Sequence, residues 1–384
     1  MDPSSSPVRL INWDLAGDTA ARLAGPGPRL SSREVDAVVA DLRAHADASV
    51  AHVHRITGLE AARDLRDSSV LIVDRASWSR ANVQSFEALL GPALGRLAAS
   101  KGDAFGPNAA LFGSAVTGAE MGTILAFLSS KVLGQYDPFS SLARDGVPAG
   151  GRLLLVAPNI VEIERELGVD PADFRLWVCL HEQTHRVQFA AAPWLRDHLR
   201  ENIGRLTEGL VETTDNFGER LAAAARGAVA ARSRRDGAGS AAAAPDTGPD
   251  SRPGLLSAIQ DPEERAIMSH LTAVMSLLEG HANVVMDAVD ASIVPTVKTI
   301  RQRFNRRGAH RGPVETWIRR FLGLEAKMRQ YADGQRFVSA VVREIGMEGF
   351  NAVWERPENL PTERELHHHR EWIRRVTGAG SAAG

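Results

Sequence analysis

LWVCLHEQTHRVQF, residues 176–189, decides how this chain reads. Just upstream, Asp170 suits a helix N-cap, Pro171 the first helical position, and Asp173 adds an acid to the first turn. The sequence therefore predicts a helix from 171 to about 190. Phe174, Trp177 and Val178 form its apolar stripe, and His181 and His185 continue that stripe. Residues four apart on a helix lie about 40° from one another, so both imidazoles can reach one ion at about 2.0–2.1 Å. Zinc is the natural occupant. Glu182, beside the first histidine, is placed to take a proton from activated water and return it to a leaving group. The plainer alternative is a pair of hydrogen-bonded core histidines, since inward-facing imidazoles need partners in either case.

Two histidines do not complete a catalytic zinc shell. The extended pattern H-E-x-x-H-x-x-G-x-x-H requires Gly and His at 188 and 191, where this chain has Gln188 and Ala191, so that class is excluded. The third ligand has to come from elsewhere. D-P-E-E at 261–264 is a second helix start, predicting a long helix to about Val289 that carries LLEGHANVVMD, 277–287. Glu279 shares a stripe there with Met268, Thr272, Met275 and Met286, where an unpaired carboxylate would be costly. His281 lies about 200° round the same helix, so one of the two faces the ion and not both. Glu279 is favoured because Asn283, one turn on, can support it by a hydrogen bond; His281 is the rival. Asp197, His198, Glu208 and Glu212 read as solvated helix surface.

Working outward, residues 30–97 carry helical patterning, with SSVLIVDR at 68–75 as one short strand candidate. Residues 108–135 read as buried helices with a break at Gly118, their small residues allowing close helix approach. RLLLVAPNI at 152–160 reads as a buried or edge strand ending in a Pro-Asn turn. The fold class is mainly α with a small β element. A mainly helical region is expected over 1–150 and the metal-binding region over 151–384. The Ala/Gly/Arg/Pro stretch at 221–255 offers little to a core, and 233–254 reads as a mobile insertion.

Composition narrows the functional classes. The chain has 384 residues, 44% hydrophobic and 24% charged, with formal net charge −2, which does not point to a polyanion binder. The basic segment 298–320 is read as a solvated helix face and loop, so nucleic acid is not an expected partner, and the histidines at 367–369 are given no catalytic role. Cys179 is the single cysteine, which excludes an intramolecular disulfide framework and fits a reducing compartment. The start lacks a secretory pattern, and the longest uncharged stretch, 104–119, is too short to span a membrane. The expected location is cytoplasmic, with no membrane partner.

Across nearly its whole length the chain resembles a known family. The resemblance rests on INWDLA (11–16), VDRASW (73–78), LGQYDPF (133–139), APNI (157–160), HEQTHRVQF (181–189), LEGHANVVMD (278–287), MRQYADGQRFV (328–338) and NAVWERPENLPT (351–362). It is similar to the zinicin-like, zincin-type metallopeptidases of high-GC bacteria, one branch of which is associated with biosynthesis of a deazaflavin coenzyme. The resemblance implies a zincin-type site with its third ligand on the EGHAN segment. Related zinc peptidases often have Asp four residues after the Glu ligand; here Asn283 stands in that place. An oxyanion donor would come from Tyr331 or His281. The expectation is a hydrolase of peptide or protein substrates, with Zn2+ on His181, His185 and Glu279, Glu182 as general base, and substrate aligned by strand addition at RLLLVAPNI. The alternative is a non-catalytic scaffold that keeps fold and metal, against which the intact Glu182 argues.

Because long loop insertions add slowly to closure entropy, deletion of 233–254 is expected to leave the melting temperature almost unmoved. A drop of many degrees in a calorimetric scan would show that the stretch docks on the folded chain.

Overall fold

A computed structural model of the chain describes residues 10–101, 107–140, 151–215, 262–309 and 324–380. The expected insertion at 233–254 lies outside them. In order the elements are α1 (Trp13–Leu23), α2 (Ser32–Thr57), β1 (Ser69–Val73), α3 (Arg75–Lys101), α4 (Pro107–Ser129), β2 (Gly134–Asp137), β3 (Arg152–Val156), α5 (Ala157–Leu167), α6 (Pro171–Ala191), α7 (Leu195–Asp215), α8 (Pro262–Ala288), α9 (Val297–Ala309), α10 (Leu324–Phe350), α11 (Glu363–His367) and α12 (His369–Gly380). The chain is mainly α with one small sheet.

Local chemistry sets the helix starts. The Asp170 carboxylate accepts from the Asp173 N–H at 3.0 Å, which caps α6. Asp173 in turn accepts from the Thr296 N–H and hydroxyl at 2.7 and 2.6 Å, so the start of α6 is tied to the segment entering α9. The Pro-Asn pair at 158–159, read as a turn, opens α5 instead, because proline fits the first helical turn without losing a needed N–H. Gly118 does not break α4: α1 crosses there, and a Cβ would lie 2.5 Å from the Asn12 carbonyl oxygen.

The sheet has order β1-β3-β2. β1 runs parallel to β3, with Ser69 opposite Arg152 and Val73 opposite Val156, and β2 runs antiparallel, with Gly134 opposite Leu155 and Asp137 opposite Arg152. Strand and core both cross residue 150, so the segments on either side of it share one sheet. RLLLV is thus the central strand, with both hydrogen-bonding edges occupied. The outer strands are β1 and β2, each paired on one side only among the described residues; β2, a strand the sequence did not advertise, is the one that borders the cleft.

Burial of β3 on both faces explains its unbroken apolar run. Leu155 enters a large core built from α2, α5, α6, α8, α10 and α12, whereas Leu154 and Val156 enter a smaller one with α1, α3 and α4. Polar anchors hold α6 between these layers. Arg175 donates to Glu164 on α5 at 2.6 and 3.0 Å and to Asp41 on α2 at 3.0 Å. Arg186 donates to Asp67 at 2.9 Å and to the Leu65 carbonyl at 3.1 Å, just before β1.

Helices α8 and α10 meet backbone to backbone. A Cβ on Gly280 would lie 2.3 Å from the Gly334 carbonyl carbon, and one on Gly334 would lie 1.9 Å from the Ser276 carbonyl oxygen. No rotamer change relieves a clash with backbone, so the two helices would have to separate. Gly280→Ala and Gly334→Ala are each expected to destabilise the protein by about 1–3 kcal/mol or more, measured by urea denaturation. Wild-type midpoints in both variants would disprove this close crossing.

Candidate metal centre

Helix α6 brings His181 and His185 to a cleft, and α8 brings Glu279 to meet them. The two Nε2 atoms are 3.3 Å apart, the Glu279 carboxylate lies 3.7 Å from His185 Nε2 and 4.0 Å from His181 Nε2, and one donor atom from each residue lies within 4.8 Å of the others. Two ligands at tetrahedral angles around one zinc ion stand about 3.3 Å apart. The histidine pair already matches that spacing, and the carboxylate needs to close by a few tenths of an ångström (~0.5 Å) to join them. Burial, followed by the neighbouring His185, holds His181 down to about 3, so at neutral pH its ring is uncharged and able to donate a lone pair.

The protonation of His185 follows from one amide. Gln188 Nε2 donates to the Leu278 carbonyl at 2.8 Å; a carbonyl only accepts, so the amide nitrogen must face α8. Gln188 Oε1 then faces His185 Nδ1 at 3.0 Å, which makes Nδ1 the protonated nitrogen and leaves the Nε2 lone pair directed at the site. The same amide nitrogen lies 3.0 Å from His281 Nδ1, so that atom accepts and His281 carries its proton on Nε2.

His281 is therefore behind the donor set and not in it. It is wholly buried, stacked on Phe350 at 5.3 Å and edge-on to Trp354 at 5.2 Å. Burial, then His185, push its pKa down to about 3, so it stays neutral. It does not line the cleft, whereas Glu279 does. Asn283 is half-buried and makes no hydrogen bond to Glu279 among the described residues. The supporting bond belongs to Gln188 and acts on His185. Tyr331 falls in α10, but its side chain lies outside what the structure describes.

Glu182 is 8% exposed and rests against β2: a Cβ on Gly134 would stand 2.5 Å from its Cγ and 2.7 Å from its Cδ. Burial first, and the Glu279 charge second, push its carboxyl up to about 8. The cleft holds about 510 Å3 and is lined by α3, β2 with its continuation, α6, α7 and α8.

The chain matches the zincin-like metallopeptidase family over residues 11–373. It belongs to that family. A crystal structure from Chloroflexus aurantiacus, of a protein with a novel fold proposed to be a hydrolase, is 30% identical, with 96% of this chain and 99% of that chain aligned at a TM-score of 0.63. No curated protein matches significantly. No helix among the described residues is long and apolar enough to cross a membrane.

In this zincin-like chain, two of the recurrent motifs hold the edge strand in place. Asn159 of APNI donates to the carbonyls of Ser129 and Val132 at 2.7 and 2.6 Å and accepts from Arg75 of VDRASW at 2.6 Å. Those bonds fix the loop that leads into β2. Sequence reasoning missed Asn159, Gly134 and Gln188 as parts of the site. For Gln188 a signal was present: it follows His185 by three residues and so continues the stripe of 181 and 185, where a polar side chain needs a buried partner.

Loss of the Gln188 bonds frees the His185 ring to rotate and to adopt the wrong tautomer. Gln188→Ala is expected to weaken zinc binding about 10- to 100-fold in chelator competition, while Asn283→Ala leaves it unchanged. Equal affinities in the two variants would assign the supporting role to neither residue.

Proposed function

We propose that this protein is a zinc-dependent metallopeptidase, with His181, His185 and Glu279 as ligands and Glu182 as general base. One observation carries the reading: the buried Glu182 carboxyl is seated between the convergent donor set and the open edge of β2. A structural metal site has no use for such a carboxylate, whereas hydrolysis needs a proton carrier there. Zinc held by these residues would supply Lewis acidity toward a carbonyl and acidify water. Glu182 takes the water's proton and passes it to the departing amine; its flank against Gly134 limits it to orientations facing the cleft. His181 stays neutral, and Gln188 fixes the ring of His185.

The substrate is a peptide or protein segment lying along β2, its backbone bonding to the free edge of Gly134–Asp137 while its side chains alternate between the two faces. This moves strand addition from RLLLV, whose edges are both paired, to GQYD. The absence of a side chain at Gly134 lets Glu182 and the bound backbone share the space. The buried, unpaired Cys179 supports a reducing, cytoplasmic setting.

Purified protein is expected to carry one zinc per chain by elemental analysis, lost on dialysis against a chelator in His185→Ala and Glu279→Ala. Glu182→Gln should keep its zinc and lose at least about 100-fold in cleavage of an unbiased peptide library. Zinc retained in His185→Ala would sink the ligand assignment, and wild-type cleavage by Glu182→Gln would sink the mechanism.

A further inference from the structure

The walls of the cleft are unlike its floor. Along β2, Gly134 meets Glu182 and Tyr136 packs on Phe189 at 5.3 Å, both toward α6. Gln135 donates to Asn82 at 3.0 Å and Asp137 accepts from Ser85 at 2.6 Å, both toward α3. Beyond these fixed polar groups, α3 packs on α7 and closes the cleft with side chains at helical spacing: Phe86 and Leu89 from α3, Leu199 and Ile203 from α7. Helix α8 adds Met275, one turn before Glu279, and Leu278 beside it. Three helices that supply different parts of the molecule thus turn apolar faces into one volume beside the donor set.

Charge points the same way. Among the described residues lining the cleft there is no Lys or Arg. The third carboxylate, Asp137, is buried and already bonded to Arg152 at 2.9 Å as well as to Ser85, so it offers no free charge to a cationic side chain. Glu182 and Glu279 are committed to the chemistry. An acidic side chain in this volume would meet carboxylates, a basic one would lose water without a spare partner, and an apolar one would find only matching surface. Met275 is 43% exposed at the mouth, a flexible side chain able to adjust to the shape of what enters.

We infer that this wall is a side-chain subsite, and that the substrate class is peptides with a bulky aliphatic or aromatic residue adjoining the scissile bond. The inference rests on the metallopeptidase reading and adds a specificity to it. Apolar pockets discriminate by roughly 10- to 200-fold for a difference of one methylene, so the preference over glycine is measurable even with a small probe.

The probes are two dipeptide amides capped by a zinc-chelating hydroxamate, one with leucine and one with glycine next to the chelating group, titrated calorimetrically into zinc-loaded protein. The leucyl probe is expected to bind at least about tenfold tighter, and that ratio is expected to fall severalfold in Leu89→Asn and in Met275→Asn. The second variant changes an exposed position, so it reports even where the first fails to fold. Tight binding of both probes with a ratio near one would overturn the subsite and leave the zinc reading standing. A ratio unchanged in folded variants would overturn the assignment of this wall. Failure of both probes to bind would overturn the metallopeptidase reading and this inference with it.

Discussion

The Gln188 amide is the interaction on which the arrangement of the site depends. It bonds at once to His185 on α6 and to the Leu278 carbonyl on α8, the residue immediately before Glu279. A single side chain therefore sets the tautomer of one donor and the distance to the helix that carries another. Its orientation is not free, because the carbonyl accepts only and so decides which end of the amide faces which helix. His281, wholly buried, accepts from the same nitrogen, so its tautomer follows from the orientation that the carbonyl sets.

That amide can act only if both helices are already close to their final places, and each is held by a different device. Helix α6 is held by polar anchors, Arg175 toward α2 and α5 and Arg186 toward the segment before β1. Their arginines are largely buried, so breaking the pairs is costly because a lone charge would remain. Helix α8 is held by shape, through the Gly280 and Gly334 contact with α10. Directional bonds fix the rotation of α6, and with it which way the histidines point. Steric contact fixes the depth of α8, and with it how far Glu279 must reach.

Much of this was legible in the sequence, and what was not has a physical reason. The α6 cap, the histidine stripe and the restriction of the facing residue to one of Glu279 and His281 follow from helical periodicity, which is local; Glu279 was chosen between them on the support of Asn283. Asn283 looked like the support for Glu279 because it shares its face, yet the supporting bond acts on His185 from Gln188 on the same helix, and only the far end of that amide, bonded to Leu278 and His281, spans a sequence separation no periodicity reports. The edge strand was invisible for a related reason. GQYD has neither alternation nor β-branched residues, and it is a strand because β3 pairs with it and Asn159 clamps the loop before it. RLLLV gave a correct strand but the wrong position in the sheet: a run apolar on both faces belongs in the centre, and its length alone concealed that distinction.

The charges of the cleft tie the donor set to the buried Glu182 carboxyl. Three carboxylates line it, and only Asp137 has a guanidinium partner, Arg152. Glu279 faces two imidazoles, of which His181 is held neutral by burial, and Glu182 is pushed up to about 8 by burial and by Glu279. The Glu279 charge opposes ionisation of the buried Glu182, which is an unfavourable arrangement for stability alone. A divalent cation bound by the two imidazoles and Glu279 would reverse the sign of that field at Glu182 and draw its pKa back toward the ordinary carboxylate range. Under the proposed function, Glu182 would then be ionised at neutral pH and ready to accept a proton, while its burial would keep it basic enough to hold one. On that proposal, the electrostatic cost of two acids in one cleft would be the source of a proton carrier tuned by the ion beside it.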